Sequence, residues 1–555
     1  MQQSNDITIF KARSIITMNP MQPRATHVAV REGRILGVGD EASLKGWGAA
    51  TLDETFADKV LMPGLVEGHC HLLEGGMWSY VYVGFYDRRG PDGKLWTGLK
   101  SFDEVIGRLK EARAAAADDS APIYAWGFDP IYFDNQRMTT EHLDQVSDTQ
   151  RVVLLHASAH LMNVNSAMLR EANITKETAI EGVVLDENGK PSGELQEFAA
   201  MYLVYRKIGN IFFDAGQTEE GIWNFARVAQ LAGVTTATDL VNDLSDTTIA
   251  NLSKVTLLDD YPLRIVPAYA PSRDAENKAL QRVLPAMDNN NDKLHFGIVK
   301  LVIDGSIQGF TARVRWPGYY NPPNGVQKNG IWIVPPHQLK DLIKTYHDAR
   351  LTVHIHTNGD EATEVALDAI EQLLEESPRW DHRHTLQHCQ MADAYQFRRM
   401  ANMGVCANLF SNHLYYWGDA HYALTMGPDR ANRMNATATA KATGVRFSLH
   451  SDAPITPLAP LFTAWCAVNR QTASGRVLGD SEKISVQDAL SAMTLGAAYT
   501  LKLDEKIGSI EVGKLADFAV LDDDPLEVAP EALKDVRVWG TVLGGRVFPC
   551  ATKNA

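Results

Sequence analysis

The stretch that decides the fold is "LMPGLVEGHCHLLEGG", Leu61 to Gly76. An apolar run of strand length ends in two histidines, His69 and His71, one residue apart. Side chains two apart on a strand share a face, so both imidazoles can reach one metal ion. The triplet alone is weak. With 17 histidines in 555 residues, chance gives roughly half an H-x-H per chain. Two more occur here, His354/His356 and His382/His384.

Working outward, seven further apolar runs of strand length follow: 233–240, 263–269, 296–304, 351–357, 384–389, 404–410 and 446–452. Longer amphipathic segments such as "DEATEVALDAIEQLLEE" separate several of them. Eight strands with helical crossovers predict a (β/α)8 barrel, an α/β fold of the TIM type. An open doubly wound sheet is the alternative, and no G-x-G-x-x-G follows the first strand. Residues 72–232 exceed one crossover and read as an inserted subdomain. The Gly-, Pro- and aromatic-rich segment 305–335 reads as a long loop. Both chain ends, 1–60 and 506–555, show short alternating runs between turn residues, the pattern of small antiparallel strands. The barrel then occupies 61–505.

The bulk properties narrow the class. A formal charge of −15 argues against nonspecific binding to nucleic acid or anionic membranes. No apolar run is long enough for a membrane span, and the N-terminal residues carry no apolar leader. Five scattered cysteines suit reduced thiols better than a disulfide framework. A cytoplasmic enzyme acting on a small molecule is the expectation, with a homodimer left open.

In barrel enzymes the site lies at the C-terminal ends of the strands. His69 and His71 end the first candidate strand, Lys300 lies on the fourth, and His356, His388 and Asp452 end the fifth, sixth and eighth. Lys300 inside an apolar strand is costly unless paired or modified. A salt bridge to Asp304, a snorkelling ammonium, and a carbamate bridging two metals all remain open. Cys70 points away from its neighbours on a strand and reads as packing. His354 and His450 lie one layer inward and read as supporting groups.

Taken together, "PGLVEGHCH", "AHLMNVNSAML" (159–169), "GKPSGELQE" (189–197), "VKLVIDGSIQGFTA" (299–312), "HIHTNGDEA" (354–362), "LQHCQ" (386–390), "SDAP" (451–454) and "GSIEVGKLADFAVLDDDP" (508–525) resemble the amidohydrolase superfamily. The resemblance is to its amidohydrolase-3 branch, that of the YtcJ-like proteins and N-substituted formamide deformylase. It implies a barrel with a small β-sandwich built from both chain ends, and one or two divalent metal ions, usually Zn2+. Carried over, His69, His71 and Asp452 would hold the first metal and His356 and His388 the second. Lys300, N6-carboxylated, would bridge them. His160 and Asn165 match a motif of the inserted region, with His160 expected near the substrate. Gln308-Gly309-Phe310 and Thr357-Asn358-Gly359-Asp360-Glu361 depart from the branch, which bears on specificity and leaves every ligand in place.

Such a set acidifies a water and lets Asp452 pass a proton to a leaving nitrogen. The expected reaction is hydrolysis of a C–N bond in a non-peptide amide, an N-acyl or N-formyl amine. Cyclic amide, carbamate, ester or lactone hydrolysis and deamination use the same site. A metal-poor regulatory or scaffold protein is the reading from another class. Aromatics follow the first strand (Trp78, Tyr80, Tyr82, Phe85, Tyr86) and the seventh (Tyr415, Tyr416, Trp417). They split evenly between subdomain packing and a pocket for an aromatic group, with Trp78, Tyr82, Tyr416 and Trp417 as candidate walls.

Overall fold

The computed structural model describes residues 7–550 except 117, 119–120, 134–135, 275–277 and 323–327. The middle of the expected long loop at 305–335 therefore lies outside the described residues. The chain forms two compact units. One comprises Met1–His71, Ala229–Asp452 and Leu458–Ala555; the other comprises Leu72–Val228 and Ala453–Pro457.

The first unit contains the barrel. Its strands are β1 (Leu65–Glu67), β2 (Val234–Asn242), β3 (Arg264–Tyr269), β4 (Ile298–Val302), β5 (Thr352–Thr357), β6 (Thr385–His388), β7 (Cys406–Leu409) and β8 (Phe447–Leu449). They pair in sequence order and all in parallel. Nearly every strand residue is buried, as expected of parallel strands covered on both faces. Helices such as Pro336–Asp348, Asp360–Glu376 and Ala394–Met403 make the crossovers. Beyond the paired strands, the ring is drawn together by Glu67 and Ser451. The Ser451 amide and hydroxyl donate to the two Glu67 carboxylate oxygens at 3.0 and 2.9 Å.

β1 is shorter than its apolar run. Residues Leu61–Pro63 end a long strand of another sheet, Ala50–Pro63, and the chain passes into β1 at Gly64. A Cβ there would lie 2.0 Å from Thr235 Oγ1, so only glycine fits the joint. His69 and His71 thus follow the strand in a bend and do not share a strand face.

Strands from both chain ends make one seven-stranded sheet, in the order 546–549, 538–543, 518–521, 50–63, 7–16, 24–31, 34–39. Its pairs are antiparallel except 7–16 with 50–63, which is parallel. Phe10, Ile15, Val28, Phe56, Phe518 and Val542 form its core. The second unit is built on a six-stranded sheet, ordered 183–185, 191–196, 161–164, 152–156, 123–128, 81–82. Two apolar cores belong to it.

Candidate metal centre

Donor side chains collect where the barrel strands end. Asp452 lies three residues past β8 at φ +56°, a left-handed backbone that costs a non-glycine residue about 1–3 kcal/mol. The surroundings impose it. The Asp452 amide donates to the His69 carbonyl at 3.0 Å, next to the Glu67–Ser451 bonds. One carboxylate oxygen, Asp452 Oδ1, is thereby brought 3.2 Å from His69 Nε2 and 3.0 Å from His71 Nε2.

His388 ends β6 in the same left-handed region, at φ +72°, with Cys389 at +46°. In a regular strand Gln387 and His388 would face opposite sides; this backbone turns both toward the barrel interior. His388 Nδ1 meets His450 Nε2 at 3.1 Å. Its ring lies 4.5 Å from that of His69 and 4.6 Å from that of His356. His356 in turn donates from Nδ1 to Asp304 Oδ1 at 2.9 Å. Lys300 on β4 is in register with His354 of β5. Its buried Nζ has no hydrogen-bond partner among the described residues.

Burial pushes the His69 and His388 imidazoles well below their usual range. Burial works against ionised Asp452, but His69, His71 and His388 outweigh it and keep the carboxyl well below the usual carboxylate range. Burial pushes the Lys300 amine down to about 7, against the pull of Asp452 and Asp304. Neutral imidazoles, an ionised carboxylate and an unpartnered buried amine are a donor set that fits a divalent cation. His69, His71 and Asp452 offer ligand atoms within 4.8 Å of one another.

The other residues singled out by sequence sit as follows. Cys70 is buried, its Sγ 3.1 Å from the Thr238 carbonyl. His354 and His450 are interior and hydrogen-bonded. His160 is half-buried in the second unit, its Nδ1 3.0 Å from Glu197 Oε2. Asn165 was expected at the substrate; instead it caps the helix Ser166–Ala172. Its Oδ1 accepts from Met168 N and Val152 N, and its Nδ2 donates to the Ser147 and Gln150 carbonyls. That uses all its bonding capacity.

Trp78 and Tyr82 are also corrected, since both pack in the second unit's own core. Their rings lie 5.3 and 4.8 Å from that of Trp126. Their polar atoms are met locally, by Glu74 at 2.9 Å and the Tyr86 carbonyl at 2.7 Å. On the helix Asn412–Ala420 that follows β7, Trp417 is buried against His413, with ring centroids 4.3 Å apart. Tyr416 is half-buried and packs on Phe462.

Sequence reasoning missed three groups. Asp304, weighed only as a partner for Lys300, accepts from His356 Nδ1 and from the amides of Arg313, Asn358 and Gly359. Gln387 accepts from His69 Nδ1 at 2.7 Å. Asn408 accepts from His450 Nδ1 at 3.1 Å. Their one signal is position: each is polar inside or just after an apolar strand.

Over 554 residues the chain is 28% identical to "Protein LONG AFTER FAR-RED 3" of Arabidopsis thaliana, covering 96% of this chain and 90% of that one. It is 25% identical to N-substituted formamide deformylase of Arthrobacter pascens, covering 98% of both. A metal-dependent hydrolase of Pyrococcus horikoshii OT3 superposes with a TM-score of 0.71 at 21% identity, covering 95% of this chain and 99% of that one. The family model described as "Amidohydrolase family" matches residues 57–549, and the chain belongs to that family.

Proposed function

We propose that this chain hydrolyses the C–N bond of a non-peptide amide, with N-acyl and N-formyl amines as the leading class. The observation that carries the reading is Asp452, ionised, with one carboxylate oxygen facing two imidazole nitrogens beside His356, His388 and the unpartnered Lys300. The formamide deformylase relative supports the choice of bond.

His69, His71 and Asp452 would hold one Zn2+, and His356 and His388 a second, with Lys300 as its carbamate between them. When bound, the cation supplies an acidified water and polarises the scissile carbonyl. Asp452 takes the proton of the nucleophile on its carboxylate and returns it to the leaving nitrogen, which departs poorly unless protonated. His160, polarised by Glu197, is a second candidate for handling a proton. The retained ligand set favours an enzyme over a scaffold, which has no need of it.

Aromatic selection rests on the segment after β7, since Trp78 and Tyr82 after β1 pack in a core. Tyr416 is three residues from His413, and residues so spaced share a helix face. His413 is within the electrostatic reach of Asp452. The test is turnover of matched N-formyl, N-acyl, ester and lactone substrates by Zn2+-loaded protein. N-aryl formamides should turn over fastest, and Tyr416→Ala should raise KM for them more than for N-methylformamide. Ester or lactone turnover exceeding that of every amide would sink the C–N reading.

A further inference from the structure

The barrel interior beneath the rim holds a chain of hydrogen bonds whose direction is fixed at one end. The Thr500 carbonyl can only accept, so His354 Nε2 donates to it, at 3.2 Å. His354 is fully buried, and with the proton on Nε2 its Nδ1 carries the lone pair. Gln387 Nε2 donates to that lone pair at 2.8 Å. The Gln387 amide is thereby oriented, with Oε1 turned the other way. Two donors meet that oxygen: His69 Nδ1 at 2.7 Å and Asn408 Nδ2 at 2.9 Å. Asn408 is oriented in turn. Its Oδ1 accepts from His450 Nδ1 at 3.1 Å, which leaves His450 Nε2 to accept from His388 Nδ1 at 3.1 Å.

The strand register explains why these side chains meet. Gln387 of β6 and Asn408 of β7 are direct cross-strand partners, and His354 of β5 pairs with Thr385, two residues before Gln387 on β6. Three neighbouring strands thus place an amide, an amide and an imidazole in one interior row. A neutral imidazole carries one N–H, and the atom that holds it decides which nitrogen remains a donor to metal. Along this chain His69, His450 and His388 all carry a proton on Nδ1, and His69 Nε2 faces Asp452 Oδ1 at 3.2 Å.

We propose that Gln387 is a positioning residue for both halves of the metal centre. Its oriented amide holds His69 in the Nδ1–H form directly and His388 through Asn408 and His450. The proposal rests on the metal-centre reading above. It explains why a glutamine occupies the barrel interior, and it makes His450, which lies beside His69 and His388, a supporting group. His450 Nε2 is occupied by the His388 N–H.

The test compares the full chain with Gln387→Leu and Gln387→Glu, using histidine-selective 15N NMR of the metal-free protein and Zn2+ affinity by chelator competition. The 15N signals of His69 and His388 are assigned by their loss in His69→Gln and His388→Gln. In the parent both rings should show Nδ1 protonated. Gln387→Leu removes the acceptor: His69 should shift toward the Nε2–H form and Zn2+ affinity should fall about 10–100-fold. Gln387→Glu keeps an acceptor oxygen toward His69 and Asn408 in a side chain of the same shape. This variant should restore the Nδ1–H signature and most of the affinity, which a purely volumetric role for Gln387 would not produce. A bare Nδ1 on His69 in the parent overturns the proposal. So does a folded Gln387→Leu protein that binds Zn2+ like the parent, while leaving the metal centre intact. A parent that binds no Zn2+ overturns the metal reading, and the proposal with it.

Discussion

Replacing Asp304 with alanine tests how the barrel holds its second histidine pair. The carboxylate accepts four hydrogen bonds: His356 Nδ1 at 2.9 Å and Asn358 N at 3.1 Å on Oδ1, Gly359 N at 2.9 Å and Arg313 N at 3.1 Å on Oδ2. Two of the amides belong to the entry of the helix Asp360–Glu376. Its N-cap, Gly359, offers no side chain, so Asp304 supplies the anion that this N-terminus lacks. Alanine strands three amides, each at about 1–3 kcal/mol when buried without a partner. Water entering the vacated space recovers part, so the loss in unfolding free energy should be on the order of 4 kcal/mol. The imidazole loses the acceptor that fixes its tautomer, and Zn2+ affinity should fall about 10–100-fold. Asp304→Asn keeps one acceptor oxygen of two and should fall between alanine and the parent on both measures. Urea denaturation followed by tryptophan fluorescence reads the first quantity and chelator competition the second. An Asp304→Ala protein with the parent's urea midpoint and Zn2+ affinity would refute the reasoning, since neither the helix entry nor His356 would then depend on that carboxylate.

Three further outcomes follow from the same structure. Asp452→Asn keeps the side-chain volume but loses the proton-accepting charge, so the folded protein should lose about a hundredfold or more in kcat; near-parental turnover across pH would remove Asp452 from the chemistry. Lys300→Met deletes a buried amine that has no partner, so the metal-free variant should be no less stable than the parent. It should also bind fewer Zn2+ per chain, and a crystal structure of active, Zn2+-loaded parent with a bare Lys300 amine would end the carbamate reading. His156 is buried and donates to Asn163, and burial pushes its pKa from 6.5 down to about 4. Because the unfolded chain takes up this proton first, the stabilisation is present above pH 6.5 and is lost as pH falls from 6.5 to 4. The loss is on the order of 3 kcal/mol, and His156→Gln should flatten that part of the stability profile; an unchanged slope counts against it.

The barrel was legible because parallel strands buried on both faces leave unbroken apolar runs, and all eight runs became strands at the expected places. The ligand geometry was legible only in part, because alternation along a strand holds just where the backbone stays extended. His69 and His71 lie beyond β1, and what brings them together is the Asp452 amide on the His69 carbonyl, a contact between residues 383 positions apart. His388 and Asp452 point inward through left-handed backbones that no local preference requests. The same left-handed turn hid Gln387, which strict alternation places on the outer face when His388 faces in. Trp78 and Tyr82 failed for the opposite reason: density of aromatics near a strand end is equally a signature of core, and only their local hydrogen bonds decide between the two. Polar side chains inside a barrel differ in this respect, since each must find a partner or a ligand. Asp304, Gln387, Asn408 and His450 have partners that account for their bonding, whereas Lys300 Nζ has none among the described residues. A buried amine is the costliest of groups to leave without a partner, so Lys300 Nζ marks where a ligand or a modification completes the structure.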